Sequence, residues 1–145
     1  MIFRVLLTGF GPFQGISNNP SWQAVSALQN QMLEFSSGGG TVEAHVSAFE
    51  MPVTYDAVMK NMPAFHSGQY DLVIHVGVNP NVQARILVES MACSSGYHFP
   101  DANNQLLDQA AFEAEYGSSG EVLYTSIYVT GLVNHLSSKY YKNVS

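Results

Sequence analysis

The chain has 145 residues, of which 46% are hydrophobic and 11% are charged, and its formal net charge is −6. This length is typical of one domain with a substantial core, and the five basic residues are too scattered to neutralise phosphates, which excludes nucleic acid as a partner. A single cysteine favours a reducing compartment, and without an apolar run of about 20 residues or a signal-peptide pattern we expect a cytoplasmic protein with no membrane partner.

The first 40 residues predict a strand, a turn and a helix. Residues 2–7 form a short, apolar, β-rich run that is typical of a buried strand, and a glycine-rich turn follows at 8–13. Asn19 is a good N-cap, directly before a proline at the first helical position. Apolar residues at helical spacing then predict a helix over 20–33, and the Ser/Gly tract at 36–40 predicts a flexible connector.

Strand and helix patterns continue to alternate along the rest of the chain. We predict strands at 41–49, 71–77 and 84–93, helices at 55–65 and 122–136, and a turn-rich segment at 98–107.

This alternation predicts βαβ crossovers and a mostly parallel sheet, and therefore one α/β domain over residues 1–145. In such sheets ligands bind beyond the carboxyl ends of the strands. The turns at 8–13 and 77–79 both follow strands of this kind, so we expect the binding site there.

The segment 9–11 (GFG) allows three interpretations. It resembles the start of a dinucleotide fingerprint, but Gln14 stands where the third glycine is expected and Pro12 lacks an amide for a phosphate. The glycines could simply permit a tight turn. Alternatively, Phe10 and Phe13 could form a flat apolar slot for a small uncharged ring.

Several short motifs in order along the chain resemble those of a known family. They are LLTGFGPF at 6–13, NPSW at 19–22, MPV at 51–53, VGV at 76–78, Glu89, PD at 100–101 and YTSI at 124–127. In this order they resemble the N-terminal two-thirds of pyroglutamyl peptidase I, a family of cytosolic cysteine peptidases that remove N-terminal pyroglutamate (5-oxoproline) from peptides. The resemblance implies a three-layer α/β/α fold of phosphorylase/hydrolase-like type, incomplete at the C-terminus.

The resemblance also implies a chemistry in which a thiolate attacks the amide after the pyroglutamyl ring, a histidine transfers the proton and a carboxylate orients the histidine. Glu89 falls at the position of that carboxylate. Its sequence position alone would favour an exposed strand glutamate paired with Arg85, but the order of the motifs favours the triad role. Phe10 and Phe13 would sandwich the ring. The implied substrate-binding residues are Gly9, Phe10, Phe13, Asn19, Val78 and His98, the last in place of a family arginine.

No other residue type in the chain indicates a reactive or metal centre. Cys93 has no basic neighbour in sequence, so we expect a buried, inert thiol. The histidines lack a metal-ligand spacing, and His75 is expected to be a hydrogen-bonded strand histidine. We therefore expect no metal and no cofactor.

The family's nucleophilic cysteine and catalytic histidine fall after residue 145. We consider two explanations: the chain is a truncated form of a complete enzyme, or it is a short paralogue without catalysis. A catalytically inactive binding or interaction module on the same fold is therefore the alternative function. Family members also form homo-oligomers, so the resemblance allows one here.

Overall fold

The computed structural model describes residues 1–118, 120–140 and 143–145. These residues divide into two compact units. The first comprises Met1–Val78 with Phe99–Leu106, and the second comprises Asn79–His98 with Leu107–Ser145. The expectation of a single domain over residues 1–145 stays a prediction.

The first unit contains a four-stranded sheet with the order β2-β3-β1-β4. Its strands are β1 (Ile2–Phe10), β2 (Met32–Ser37), β3 (Gly40–Met51) and β4 (Leu72–His75). Strand β1 runs parallel to both β3 and β4, whereas β2 is antiparallel to β3. The prediction of a mostly parallel α/β sheet is confirmed.

Helices cover both faces of this sheet. Helix α1 (Pro20–Ser26) packs against β1 and β3, where Val5, Leu7, Val25 and Val46 form the buried core. Because alternate side chains of a strand point to opposite faces, Leu6, only 2% exposed, belongs to the other face.

That other face is approached by helix α2 (Tyr55–Phe65). Phe65 of α2 packs edge-to-face on Phe49 of β3, with ring centroids 5.0 Å apart. Phe49 is aligned with Thr8 of β1, on the face away from α1. The unit is therefore three-layered, as the resemblance implied, and the predicted helix over 55–65 is confirmed.

The predictions for residues 20–40 are wrong after the first helical turns. Helix α1 ends at Ser26, and Met32–Ser37 is strand β2 instead of the end of a helix. Gly38 and Gly39 have φ values of 58° and 83°, so they form a tight hairpin turn and not a flexible connector. Apolar residues at 32, 33 and 35 fit either structure locally, and pairing with β3 decided between them.

Strand β4 is shorter and less buried than residues 71–77 predicted. Leu72 and Val73 are half-buried, while Ile74 and His75 are exposed. Among the described residues β4 pairs only with β1, which leaves it at an edge of the sheet.

The second unit contains two helices and a two-stranded ribbon. Strands β5 (Met91–Cys93) and β6 (Val122–Tyr124) pair antiparallel, and the helices are α3 (Gln109–Tyr116) and α4 (Val129–Lys139). The predicted strand over 84–93 is thus regular only at its end, although Ile86 forms an isolated parallel bridge with Val144.

Three further predictions for this part of the chain are corrected. The predicted helix over 122–136 is a strand followed by α4, and α3 was not predicted. Cys93 is exposed, not buried, because β5 lies in a ribbon whose residues are all exposed. The segment 98–107 is free of helix and strand, as predicted. Among the described residues, no helix combines the length and apolarity that a membrane crossing requires.

Candidate functional site

The candidate site lies at the carboxyl end of β1. Predicted turn residues Thr8, Gly9 and Phe10 still belong to the strand, and the pairing continues to Phe10 opposite Met51. The chain leaves the sheet at Gly11, whose N–H donates to the Met51 carbonyl at 2.9 Å. The binding loop therefore begins three residues later than the sequence predicted, because parallel pairing with β3 extends β1.

Gly9 is required by close packing of the strand on helix α1. A Cβ atom at Gly9 would lie 2.7 Å from the Ser21 carbonyl oxygen and 2.7 Å from the Trp22 Cα. These are backbone atoms, so neither can move aside without shifting the helix. The structure thus gives this glycine a packing role.

Asn19 and Ser21 connect the end of β1 to the start of α1, and we call this pair the Asn19 clamp. The Asn19 Nδ2 donates to the Gly11 carbonyl at 3.0 Å, while its Oδ1 accepts from the Ser21 N–H at 3.1 Å and from the Ser21 Oγ at 2.7 Å. The Ser21 Oγ in turn accepts from the Phe10 N–H at 2.9 Å. Asn19 and Ser21 are 4% and 3% exposed, so the clamp is a buried, closed network that holds Phe10 and Gly11.

The loop after Gly11 folds back on itself. Phe13 and Ile16 exchange two backbone hydrogen bonds of 3.1 and 2.8 Å around Gln14 and Gly15, whose φ values are 39° and 85°. This tight turn keeps the half-buried Phe13 close to the clamped strand end. The predicted ring-binding residues Phe10 and Phe13 are therefore both held by hydrogen-bonded backbone.

Phe10 also reaches the end of strand β4. A Cβ atom at Gly77 would lie 3.7 Å from the Phe10 ring, so the ring packs over the backbone of this glycine. Val78, the next residue, is 40% exposed. The structure thus brings Gly9, Phe10 and the Gly77–Val78 turn to one edge of the sheet, as expected for the carboxyl ends of neighbouring parallel strands.

Sequence reasoning missed two polar residues at this edge. Ser21 was noted only as part of a motif, although it receives the Phe10 N–H inside the clamp. Glu50 is exposed at the end of β3, and its Oε1 lies 3.1 Å from where a Gly11 Cβ would stand. A serine two residues after an N-cap asparagine is a signal that could have indicated Ser21, whereas only the pairing of β3 with β1 brings Glu50 to the loop.

Asp101 anchors the segment 99–106 to the first unit. Its Oδ2 accepts from the Tyr55 N–H at 3.1 Å, and its Oδ1 accepts from the Asn103 and Gln105 N–H groups at 2.9 and 3.0 Å. These backbone hydrogen bonds, the one from Gln105 first, hold the pKa of the Asp101 carboxyl below its ordinary value. The PD motif is therefore a structural anchor next to the start of α2.

The second unit holds Glu89 and His98. Glu89 is exposed, in an extended segment whose neighbour Val88 donates its N–H to the Ser145 carbonyl at 2.8 Å. The ion pairs among the described residues are Arg4–Asp71 and Glu43–His45, so the alternative pairing of Glu89 with Arg85 is not formed. His98 is also exposed. The catalytic assignment of Glu89 and the substrate-binding assignment of His98 stay predictions, as do those of the loop residues.

Comparison with known proteins identifies relatives along most of the chain. A family model described as pyroglutamyl peptidase matches residues 3–139. The pyroglutamyl-peptidase 1 of Rattus norvegicus is 38% identical over 96 residues, which cover 64% of this chain and 41% of that protein. The pyrrolidone-carboxylate peptidase of Vibrio parahaemolyticus is 34% identical over 113 residues, covering 76% of this chain and 49% of that protein. The chain thus spans less than half the length of these curated relatives.

Solved structures of similar fold carry related names. Pyroglutamyl peptidase I of Bacillus amyloliquefaciens superposes with a TM-score of 0.69 at 23% identity, covering 99% of this chain and 64% of that one. Pyrrolidone carboxyl peptidase of Pyrococcus furiosus superposes with a TM-score of 0.72 at 20% identity, covering 98% of this chain and 64% of that one. At these identities the likeness establishes the fold.

Proposed function

Because the chain belongs to the pyroglutamyl peptidase family, we propose that it supplies the ring-binding loop and the triad acid of an enzyme that removes N-terminal pyroglutamate from peptides. The observation that carries the proposal is the clamped end of β1 with the loop that follows it, residues 9–13, which lies inside the family match and at the edge of a parallel sheet where ligands bind. The comparisons give no support to the alternative of an inactive module.

The loop suits an uncharged lactam ring. Pyroglutamate offers a flat ring with one carbonyl and one N–H, so aromatic faces and backbone hydrogen bonds can recognise it. Phe10 and Phe13 supply the aromatic faces, and the Asn19 clamp holds the Phe10 backbone in one position. A slot that is already rigid loses little conformational entropy when the ring binds, and this raises its affinity for a group as small as a lactam. Asn19 is nearly fully buried, so its contribution is to shape the slot.

In the proposed reaction Glu89 orients the catalytic histidine. The resemblance places the thiol and the imidazole after residue 145, so the test is made on a protein that contains these two residues. The thiolate attacks the carbonyl carbon of the amide that joins the pyroglutamyl ring to the peptide, and the C–N bond of that amide breaks as the imidazole protonates the leaving amine. Water then hydrolyses the thioester and returns the thiol. No metal and no cofactor enters this scheme.

The substrate proposal is tested with a fluorogenic pyroglutamyl amide and the matching prolyl amide, which lacks the lactam carbonyl. We expect hydrolysis of the pyroglutamyl amide alone. Phe10→Ala removes one face of the slot, so KM should rise about tenfold, the effect of losing ~1.4 kcal/mol of aromatic contact. Phe35→Ala makes the same chemical change at an exposed position of β2 and should leave KM unchanged. Equal hydrolysis of the two amides, or of neither, would refute the proposal.

The role of Glu89 is tested separately. Glu89→Gln keeps the size of the side chain but removes the charge that stabilises the imidazolium, so kcat should fall about 10²–10⁴-fold with little change in KM. Glu115→Gln on helix α3 is the matched control, since Glu115 is also an exposed glutamate of the second unit. An unchanged kcat in Glu89→Gln would remove Glu89 from the triad while leaving the substrate proposal intact.

We also propose a cytoplasmic location and a homo-oligomeric assembly, both from the family resemblance. Fractionation of the source cells with an antibody against the protein tests the location. Size-exclusion chromatography with light scattering tests the assembly, and a monomer mass at all concentrations would contradict it.

A further inference from the structure

Three polar side chains of the first unit form a hydrogen-bonded row that the proposed reaction does not use. The Thr8 Oγ1 lies 2.7 Å from the His75 Nδ1, and the His75 Nε2 lies 3.0 Å from the His66 Nε2. Thr8 and His75 are neighbours at the carboxyl ends of β1 and β4, and His66 caps the C-terminus of α2. His75 is thus hydrogen-bonded on both ring nitrogens, as the sequence predicted for a strand histidine.

The row has the arrangement of a metal-ligating histidine with its supporting partner. Histidines that bind metals commonly donate their other ring N–H to a fixed acceptor, which sets the tautomer. The Thr8 hydroxyl can accept from the His75 Nδ1–H, and Thr8 is only 2% exposed, so this acceptor is held in place. The His75 Nε2 then presents its lone pair toward His66.

The separation of the two Nε2 atoms suits a shared metal ion. With metal–nitrogen bonds of about 2.0–2.1 Å, two ligating nitrogens lie ~2.9 Å apart at a right angle and ~3.4 Å apart at the tetrahedral angle. The observed distance of 3.0 Å lies between these values. An ion bound by both nitrogens lies beside the line that joins them, so each ring turns toward the ion while the two nitrogens stay close together.

The end of a helix at this position also favours a cation. His66 stands at the C-terminus of α2, the negative end of the helix dipole.

We propose that His66 and His75 form a two-histidine site for a borderline divalent transition-metal ion such as Zn²⁺ or Ni²⁺, with Thr8 as the outer partner that orients His75. Imidazole nitrogen is a preferred ligand of these ions. Among the described residues no group of three or more His, Cys, Asp or Glu side chains is placed to hold a metal, so water completes the coordination and the site is open. The two histidines lie nine residues apart on different elements, which explains why sequence spacing did not indicate them.

The test is calorimetric titration of the 145-residue chain with ZnCl₂ in a Cys93→Ser background, since an exposed thiol can itself bind zinc. We expect one ion per chain, and an affinity at least about tenfold weaker in His66→Gln and in His75→Gln. His135→Gln makes the same change at an exposed histidine of α4 and should bind like the parent. No binding by the parent, or binding that survives in both variants, would overturn the proposal.

Two further measurements keep the proposal testable if a histidine variant does not fold. Thr8→Val removes only the oxygen that orients His75 and should weaken binding about 10–100-fold, whereas Thr8→Ser should restore it. In the parent, zinc should shift the ring-nitrogen resonances of His66 and His75 in long-range ¹H–¹⁵N spectra. Shifts confined to the other histidines would place the ion elsewhere and reject the site.

Discussion

Replacing Asn19 by alanine should destabilise the first unit, because the Asn19 clamp is buried and closed. Three hydrogen bonds are lost, to the Gly11 carbonyl and to the Ser21 N–H and hydroxyl. Loss of the N-cap alone costs about 1 kcal/mol, and a buried carbonyl left without its donor costs about 1–3 kcal/mol. We therefore expect the free energy of unfolding to fall by about 2–4 kcal/mol, a large share of the 5–15 kcal/mol typical of a domain.

Urea denaturation followed by circular dichroism measures this change, and two variants divide it into parts. Asn19→Asp retains the acceptor that caps α1 but removes the donor to Gly11, so it should cost about 1–3 kcal/mol. Asn18→Ala, at the exposed neighbouring position, should change stability by no more than about 0.5 kcal/mol. If Asn19→Ala cost no more than Asn18→Ala, the clamp would not hold the loop and the reasoning would be refuted.

In the proposed enzyme the same variants should act on substrate binding. A loosened Phe10 backbone makes the slot less preorganised, so KM for a pyroglutamyl amide should rise in Asn19→Ala while Asn18→Ala leaves it unchanged. An unaltered KM in a folded Asn19→Ala enzyme would show that the clamp serves stability alone.

Three further predictions follow from single contacts. Gly9→Ala places a Cβ atom 2.7 Å from backbone atoms of α1 and should cost about 1–3 kcal/mol by urea denaturation, and an unchanged midpoint would contradict the packing role. Thr54→Ala removes the side-chain cap of α2 and should cost about 1 kcal/mol, with Thr54→Ser restoring most of it. Asp101 has a lowered pKa in the folded protein, so its contribution to stability is present above the unfolded pKa near 3.8 and is lost as pH falls through the folded value. Asp101→Asn should therefore weaken the dependence of stability on acid pH, as measured by thermal unfolding at a series of pH values.

Local sequence patterns predicted the structure correctly where they fitted only one type of secondary structure. The buried run at 5–7, the N-cap at Asn19 and the helix over 55–65 all match the structure. The order of the motifs also indicated the family that the comparisons identify. The strand, the N-cap and the helix each depend mainly on residues close together in the sequence, so a short segment is enough to predict them.

Local patterns failed where two structures fitted them equally well. Apolar residues at 32–35 satisfy a helix as well as a strand, and pairing with β3 over 40–51 decided for the strand. Strand pairing also decided the structure of the second unit. Residues 122–124, predicted as the start of a helix, pair with 91–93 in an exposed ribbon that includes Cys93.

The glycine-rich loop shows what the sequence by itself determined about this protein. Two phenylalanines, a proline and a missing third glycine already favoured an uncharged ring over a phosphate. Only the tertiary structure decided where β1 ends, that Asn19 and Ser21 lock the loop, and that His66 meets His75. These features depend on strand register and on helix–sheet packing, which join residues far apart in the chain, and such contacts leave no periodic signal in the sequence.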